Sequence, residues 1–117
     1  MTKIERLDEG ARMSEAVICN GMVWLAGQVA ADATQDITGQ TRQVLASIDA
    51  LLARAGSSKK SLIAAQIFLS DMADFAAMNA VWDGWIKDAG KPARATVEAS
   101  LARPGWKVEI VVTAAVD

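Results

Sequence analysis

The chain has 117 residues, of which 52% are hydrophobic, and its 12 basic and 14 acidic residues give a net charge of -2. The charges are spread along the sequence and form no basic patch, which disfavours nucleic acid and anionic membranes as partners. The chain contains no histidine and one cysteine, which excludes a histidine-activated nucleophile and an internal disulfide.

Length and hydropathy predict a single domain over residues 1–117. The hydrophobic fraction exceeds the share of about 45–50% that is usual for soluble domains, so part of the apolar surface is expected to be covered by a partner chain. No apolar signal segment opens the sequence, and no stretch approaches the ~20 apolar residues of a membrane span. We therefore expect a cytoplasmic protein, and a lone cysteine suits a reducing compartment.

The N-terminal part of the chain predicts three strands. Lys3–Asp8 is a short strand of mixed apolar and charged residues, and Ala16–Cys19 is a short apolar one. The Asn20-Gly21 dipeptide is a strong signal for a tight turn into a third strand, Met22–Val29. Gly27 within that strand predicts a bulge or the close approach of another group to the backbone. Cys19 has no histidine partner and is expected to be a small buried core residue.

The middle of the chain predicts two helices separated by a strand. Apolar residues from Val44 to Ala55 recur at helical spacing, with Asp36 or Thr38 as the cap and Gly56 as the stop. Leu62–Ser70 is nearly all apolar, which predicts a central strand buried on both sides.

The second helix is expected to begin with Asp71 as its cap. Its apolar stripe consists of Phe75, Met78, Trp82, Trp85 and Ile86. The spacing of the two tryptophans favours core packing over a ligand platform, and Asn79 lies off the stripe.

Two strands close the chain. Pro92–Ala99 places Arg94 and Thr96 on its more polar face, and Trp106–Val112 places Glu109 opposite a wholly apolar face. An arginine in a cleft can grip a carboxylate through two hydrogen bonds, and a nearby glutamate can take a proton from water. On pattern alone, ordinary surface ion pairs are the commoner explanation of such residues.

The spacing of these two strands constrains how Arg94 and Glu109 can meet. A simple hairpin about Pro104-Gly105 would separate them by six residues along the ladder, about 20 Å at roughly 3.3 Å per residue. Since an arginine cannot span that distance, either another strand, most simply Leu62–Ser70, lies between them or a second chain completes the site.

The segments Pro92-Ala93-Arg94-Ala95-Thr96-Val97-Glu98 and Lys107-Val108-Glu109-Ile110 resemble the C-terminal signature of the RidA/YjgF reactive intermediate deaminase family. Further similar segments follow in the same order, namely Asn20–Gln28, the helix from Gln43 to Leu52, Ile67–Met72 and Asp74–Asn79. The resemblance covers nearly the whole chain and is strongest to the YoaB branch. It implies an α+β fold of the chorismate-mutase-like (YjgF) type, in which a six-stranded, mainly antiparallel sheet carries two helices on one face and three chains form a trimeric barrel.

The resemblance also implies roles for individual residues. Arg94 matches the arginine that binds the substrate carboxylate, and Glu109 matches the glutamate that orients or deprotonates the attacking water. Gly27, Thr96 and Asn79 match positions at the substrate cleft. Sites between subunits are typical of the family, so we expect two chains around each ligand, with Asn79 on the wall opposite Arg94.

The sequence departs from the main RidA branch at three positions. That branch has cysteine at the position of Thr96, serine at that of Ala26 and tyrosine near that of Met13. These departures leave open which imine side chain is preferred, and whether Arg12 or the tryptophans line the pocket.

The function implied by the resemblance is hydrolytic deamination of 2-imino or 2-enamino acids, such as 2-iminopropanoate, to 2-oxo acids and ammonia. No cofactor or metal is expected, because an imine carbon is already electrophilic and needs only orientation and proton management. The alternative is a non-catalytic protein of the same fold that binds small carboxylates or serves in interactions, since fold alone does not set function.

Overall fold

A computed structural model describes residues 2–116 of the chain. It contains six strands and two α-helices: β1 (Ile4–Leu7), β2 (Ala16–Cys19), β3 (Met22–Leu25), α1 (Ile37–Arg54), β4 (Leu62–Leu69), α2 (Phe75–Ile86), β5 (Ala93–Glu98) and β6 (Val108–Ala115). Short 3-10 turns at Lys59–Ser61 and Met72–Asp74 precede β4 and α2. This α+β element order confirms the order predicted from the sequence.

All strands belong to one six-stranded sheet with the order β1-β2-β3-β6-β4-β5. Only the β4–β5 pair is parallel, because α2 carries the chain back across the sheet between these two strands. The remaining neighbours are antiparallel. β4 therefore lies between β5 and β6, which confirms the prediction that the two C-terminal strands do not form a simple hairpin.

Local signals in the sequence explain several element boundaries. Asn20 and Gly21 adopt positive φ angles of 51° and 74°, which form the tight turn between β2 and β3. The Asp36 carboxylate accepts a hydrogen bond of 2.8 Å from the backbone N–H of Gly39 and caps α1. Gly56, with φ of 82°, follows the end of this helix.

Two boundaries differ from the prediction. Regular pairing of β3 stops at Leu25, and the chain rejoins the sheet only through an isolated bridge between Gln28 and Ile110. Asp71 caps the 3-10 turn before α2 and not the helix itself, since its carboxylate accepts from the backbone N–H of Ala73 at 2.9 Å.

The core lies between the two helices and one face of the sheet. From β6 it receives Val108, Ile110, Val112 and Ala114, which alternate with more exposed residues as a half-covered strand requires. The helices contribute Val44, Leu45, Ile48, Leu51, Leu52, Met78, Trp82 and Ile86. Of the predicted stripe residues of α2, Met78, Trp82 and Ile86 belong to this core, and Trp85 is partly buried against it. Phe75, at the first position of α2, is 40% exposed and does not belong to the core.

The opposite face of the sheet, called the open face below, is not covered by a helix of the described chain. It carries Trp24, Ile63 and Val97, which are 45%, 44% and 41% exposed, beside the half-buried Phe68 and Val111. The prediction that β4 is buried on both sides is therefore wrong for a single chain, because both helices pack on its other side.

Cys19 also differs from its prediction. It pairs with Met22 across the β2–β3 turn, on the open face, and its side chain is only half-buried. The expected core position is wrong, because the alternation of β2 turns this residue away from the helices. None of the helices within residues 2–116 is long and apolar enough to cross a membrane.

Candidate functional site

Arg94 lies on β5, an edge strand of the sheet, on the face covered by the helices. Its partner on β4 is the buried Ala65, and its guanidinium carbon lies 5.3 Å from the ring centroid of Trp82 on α2. A cleft of about 320 Å³, called the arginine cleft below, is lined by Asn79, Trp82, Asp83, Lys91, Pro92 and Arg94.

Two polar atoms beside this cleft are buried without a hydrogen-bond partner among the described residues. They are Oδ1 of Asn79 and Oγ1 of Thr96. Asn79 lines the cleft, and Thr96 follows Arg94 by two residues on the same face of β5. An unsatisfied buried polar group costs about 1–3 kcal/mol. Because native proteins contain few such groups, their presence at two predicted binding residues is a feature that a bound ligand or water would explain.

Lys91 adds a second cation to the arginine cleft, but its hydrogen bonds are already used. Its ammonium donates to the carbonyl oxygens of Ile86, Lys87 and Ala89 at 3.3, 3.0 and 2.9 Å, at the C-terminal end of α2. An ammonium has three donors, so these contacts occupy it fully. Arg94 is the cation of the cleft whose donors remain available.

Glu109 lies on β6 and faces the other way, onto the open face beside Phe68. Its carboxylate occupies the space in front of Gly27, where a Cβ atom would lie only 2.8 Å from the carboxylate carbon. A residue with a side chain at position 27 would have to displace the glutamate. The close approach to the Gly27 backbone that the sequence predicts is thereby confirmed.

Two buried glutamines hold the segments around Glu109, and the sequence interpretation did not identify either. Gln28 donates through Nε2 to Glu15 at 3.0 Å and to the carbonyl of Ala26 at 3.1 Å. Gln40, which is fully buried, accepts from the backbone N–H of Lys107 at 2.9 Å and donates to the carbonyl of Gly105 at 2.8 Å. Their signal in the sequence is a polar residue at a position where the pattern requires an apolar one.

Arg94 and Glu109 lie on opposite faces of the sheet. Cross-strand partners share a face, and these two residues are partners of Ala65 and Phe68 on the strand between them. Since side chains alternate along a strand, residues three apart on β4 point to opposite sides. The polar sides of β5 and β6 therefore do not form one surface, and the two residues cannot act on one ligand within a single chain.

Neither residue forms an ion pair within residues 2–116, so the ordinary explanation by structural ion pairs does not apply. The contrast is Arg54, which donates two hydrogen bonds of 2.7 and 2.9 Å to Asp8. This arginine holds the pKa of the Asp8 carboxyl below its usual value. Arg94 and Glu109 have no such partner in the described chain.

The remaining candidate site residues differ in where they lie relative to the arginine cleft. Trp82 is in the core, as predicted, and also lines the arginine cleft, whereas Arg12 is exposed and does not line it. Asn79 lies in the same cleft as Arg94, so its expected position on an opposite wall is wrong: both residues border the junction of α2 and β5. A larger groove of about 400 Å³ lies between α1 and α2 and contains none of the predicted site residues.

Comparison with known proteins identifies the family. The sequence model described as Endoribonuclease L-PSP matches residues 3–116. A RutC family protein of Haemophilus ducreyi is 46% identical over 114 residues, which cover 97% of each chain. The RutC family protein YoaB of Escherichia coli is 46% identical over 113 residues, 97% of this chain and 98% of its own.

The fold comparison agrees with the sequence comparison. The crystal structure of a YjgF family member from Neisseria meningitidis superposes with a TM-score of 0.95 at 46% identity, covering 98% of this chain and 96% of that one. The six-stranded mixed sheet with two helices is thus the YjgF fold that the resemblance implied. The chain belongs to the RidA/YjgF family and has a YoaB-type protein among its relatives.

Proposed function

We propose that the protein is a hydrolytic deaminase of 2-imino and 2-enamino acids, such as 2-iminopropanoate, and that it acts as a homotrimer with sites between chains. The observation that carries this proposal is the arrangement of two unpaired charges. Arg94 lies with free donors in a cleft, and Glu109 is held in front of Gly27 on an uncovered apolar face. The cleft supplies a carboxylate-binding group in Arg94, and the open face supplies a proton acceptor in Glu109. The proposed reaction needs both groups at one site.

The open face supports an assembly of chains. Trp24, Ile63 and Val97 expose large apolar side chains on one surface, and contiguous apolar patches on soluble proteins commonly mark interfaces. A neighbour that covers this face would bring its own β5 edge near Glu109. Repeating that head-to-tail contact three times closes a ring.

The chemistry follows from the two charged groups. The Arg94 guanidinium binds the substrate carboxylate through two parallel hydrogen bonds, which fixes the imine carbon. Glu109 of the neighbouring chain takes a proton from water as the water oxygen bonds to that carbon, and it passes this proton to the nitrogen, which has received the C=N electron pair. In the resulting carbinolamine Glu109 then transfers the hydroxyl proton to the amine nitrogen, the C–N bond breaks as the C=O bond forms, and the products are a 2-oxo acid and ammonia. An enamino acid is first protonated on carbon to give the imine.

The unsatisfied polar atoms suit this ligand. Oδ1 of Asn79 is an acceptor without a donor, and an imine or carbinolamine nitrogen carries the N–H that it lacks. Oγ1 of Thr96 can accept or donate, which matches a carboxylate or a water near Arg94. Neither role needs a cofactor.

A non-catalytic carboxylate-binding protein is the second candidate, because the unpaired Arg94 would suffice for binding alone. The position of Glu109 in front of Gly27 favours the enzyme, since a binding protein has no need for an acceptor there. The family model is described as an endoribonuclease. A net charge of -2 without a basic patch disfavours RNA as the substrate here.

A trapping assay tests the proposal. An amino-acid oxidase generates 2-iminopropanoate from alanine, and semicarbazide traps the imine as a semicarbazone. The protein should lower the rate of semicarbazone formation in proportion to its concentration, and Arg94→Ala should remove this effect. A semicarbazone rate that is the same with and without the protein, over a series of imino acids, would contradict a deaminase and leave the binding protein.

A further inference from the structure

Trp82 combines a core position with a place in the wall of the arginine cleft. Its side chain is 4% exposed, and the guanidinium carbon of Arg94 lies 5.3 Å from the centroid of its ring. Within residues 2–116, Arg94 has no hydrogen bond and no ion pair. The ring of Trp82 is therefore the one charge-stabilising contact that the described chain gives to this guanidinium.

This kind of support differs from that of another arginine of the same chain. Arg54 is held by the carboxylate of Asp8, which occupies two of its N–H donors. A carboxylate beside Arg94 would compete with an anionic ligand for the same donors. An aromatic ring attracts a guanidinium through its π-face instead, and leaves the N–H donors free to form hydrogen bonds.

The ring of Trp82 is itself supported by a neighbouring side chain, Trp85. Its centroid lies 5.3 Å from that of Trp85, with 52° between the ring planes, and Trp85 donates through Nε1 to Asp49 on α1 at 3.0 Å. This series of contacts connects the wall of the cleft to both helices. A supported side chain fixes its neighbour more closely than a mobile one does.

We propose that Trp82 is the positioning residue of Arg94, and that it holds the guanidinium ready for a ligand carboxylate without competing for its donors. The inference rests on the proposed function of Arg94 as the carboxylate-binding residue. It assigns Trp82 to ligand affinity, in addition to its contribution to the core.

Substitution of Trp82 tests the proposal through binding. We expect Trp82→Leu to raise the Kd for pyruvate, and the KM for 2-iminopropanoate, by about fivefold to thirtyfold, the range that a partly buried cation–π contact provides. Trp82→Phe, which retains a weaker π-face, should raise both by about twofold to threefold. Titration calorimetry gives the Kd, and the trapping assay gives the KM.

Pyruvamide separates positioning from a general loss of packing, because it has the shape of pyruvate without the negative charge. Its Kd should not change in Trp82→Leu. Ile48→Ala is the control for packing: it removes volume from the fully buried core on α1, and Ile48 does not line the arginine cleft. Its Kd for pyruvate should stay close to that of the parent protein.

Three outcomes would overturn the inference: equal losses of affinity for pyruvate and pyruvamide in Trp82→Leu, the same loss for pyruvate in a folded Ile48→Ala protein as in Trp82→Leu, or an unchanged Kd for pyruvate in Trp82→Leu. If Trp82→Leu fails to fold by circular dichroism, Trp82→Phe carries the test, and an unchanged Kd there contradicts the proposal. Failure of the proposed function gives a different result. In that case the parent protein neither binds pyruvate nor consumes the imine, and the inference falls with it.

Discussion

The two faces of the sheet carry the two halves of the proposed site. On the helix-covered face, the arginine cleft is formed by α2 and β5, with the core residue Trp82 in its wall and, beside it, two buried polar atoms that lack partners among residues 2–116. On the open face, Glu109 lies on an apolar surface, and its carboxylate occupies space that a side chain at Gly27 would fill. One chain forms both halves but cannot join them, so activity is expected to depend on assembly.

The largest expected effect is at the arginine cleft. Arg94→Ala should reduce turnover of 2-iminopropanoate to the uncatalysed rate, because the carboxylate loses its clamp, while the assembly stays intact by light scattering. Arg94→Lys should be nearly as inactive, since an ammonium lacks the planar fork. Substantial turnover by the alanine variant in the trapping assay would show that the cleft is not the binding half.

On the open face, Glu109→Gln should lower kcat by about a hundredfold to ten-thousandfold, the usual contribution of a positioned general base. The amide preserves the shape of the side chain, so the Kd for pyruvate should change little. Substitution of Arg94 is thus expected to remove substrate binding, whereas substitution of Glu109 is expected to slow proton transfer and leave binding nearly unchanged. A variant with the same pH–rate profile and kcat as the parent protein would leave Glu109 as a structural residue.

A smaller effect is expected at Gly27. Gly27→Ala would place a methyl group where the Glu109 carboxylate now lies, and a displaced catalytic group costs about tenfold to a hundredfold in rate. Gly84→Ala on α2 is the matched control, because a Cβ atom there meets nothing within 4 Å. The value of kcat should fall in Gly27→Ala only. Equal kcat values in the two variants would show that Gly27 is not part of the site.

The smallest effect is expected at Cys19. This half-buried thiol lies at the β2–β3 turn, remote in the fold from both halves of the site. Cys19→Ala should leave kcat and KM unchanged and lower thermal stability only slightly. Loss of turnover in a folded, assembled Cys19→Ala protein would mean that the chemistry does not rest on Arg94 and Glu109.

Most of the fold could be predicted because its signals are local. The turn at Asn20-Gly21, the cap at Asp36 and the alternation of β6 each depend on a few neighbouring residues. The close approach at Gly27 was likewise indicated by a glycine inside an apolar strand.

The sequence could not predict that Arg94 and Glu109 lie on opposite faces of the sheet, because this depends on the exact register in which their strands pair with β4. Which face each residue occupies is set by its pairing with β4, and a shift of one residue in either register would reverse the result. The sequence does not encode that register locally. The apolar sequence of β4 likewise predicts burial on both sides, although no helix of the described chain covers its open-face side, and the sequence around Cys19 predicts a core residue although Cys19 lies on the open face.

The most direct test of the central claim, that each site joins Arg94 of one chain to Glu109 of another, is to mix two inactive variants. Arg94→Ala and Glu109→Gln chains are unfolded together in equal amounts and refolded, and exchange is verified by mass spectrometry of the assembly. In a ring with one site per interface, about one quarter of the sites then combine an intact Arg94 with an intact Glu109. We predict recovery of about a quarter of the parent activity; no recovery despite demonstrated exchange, or a stable monomer at micromolar concentration, would contradict the account.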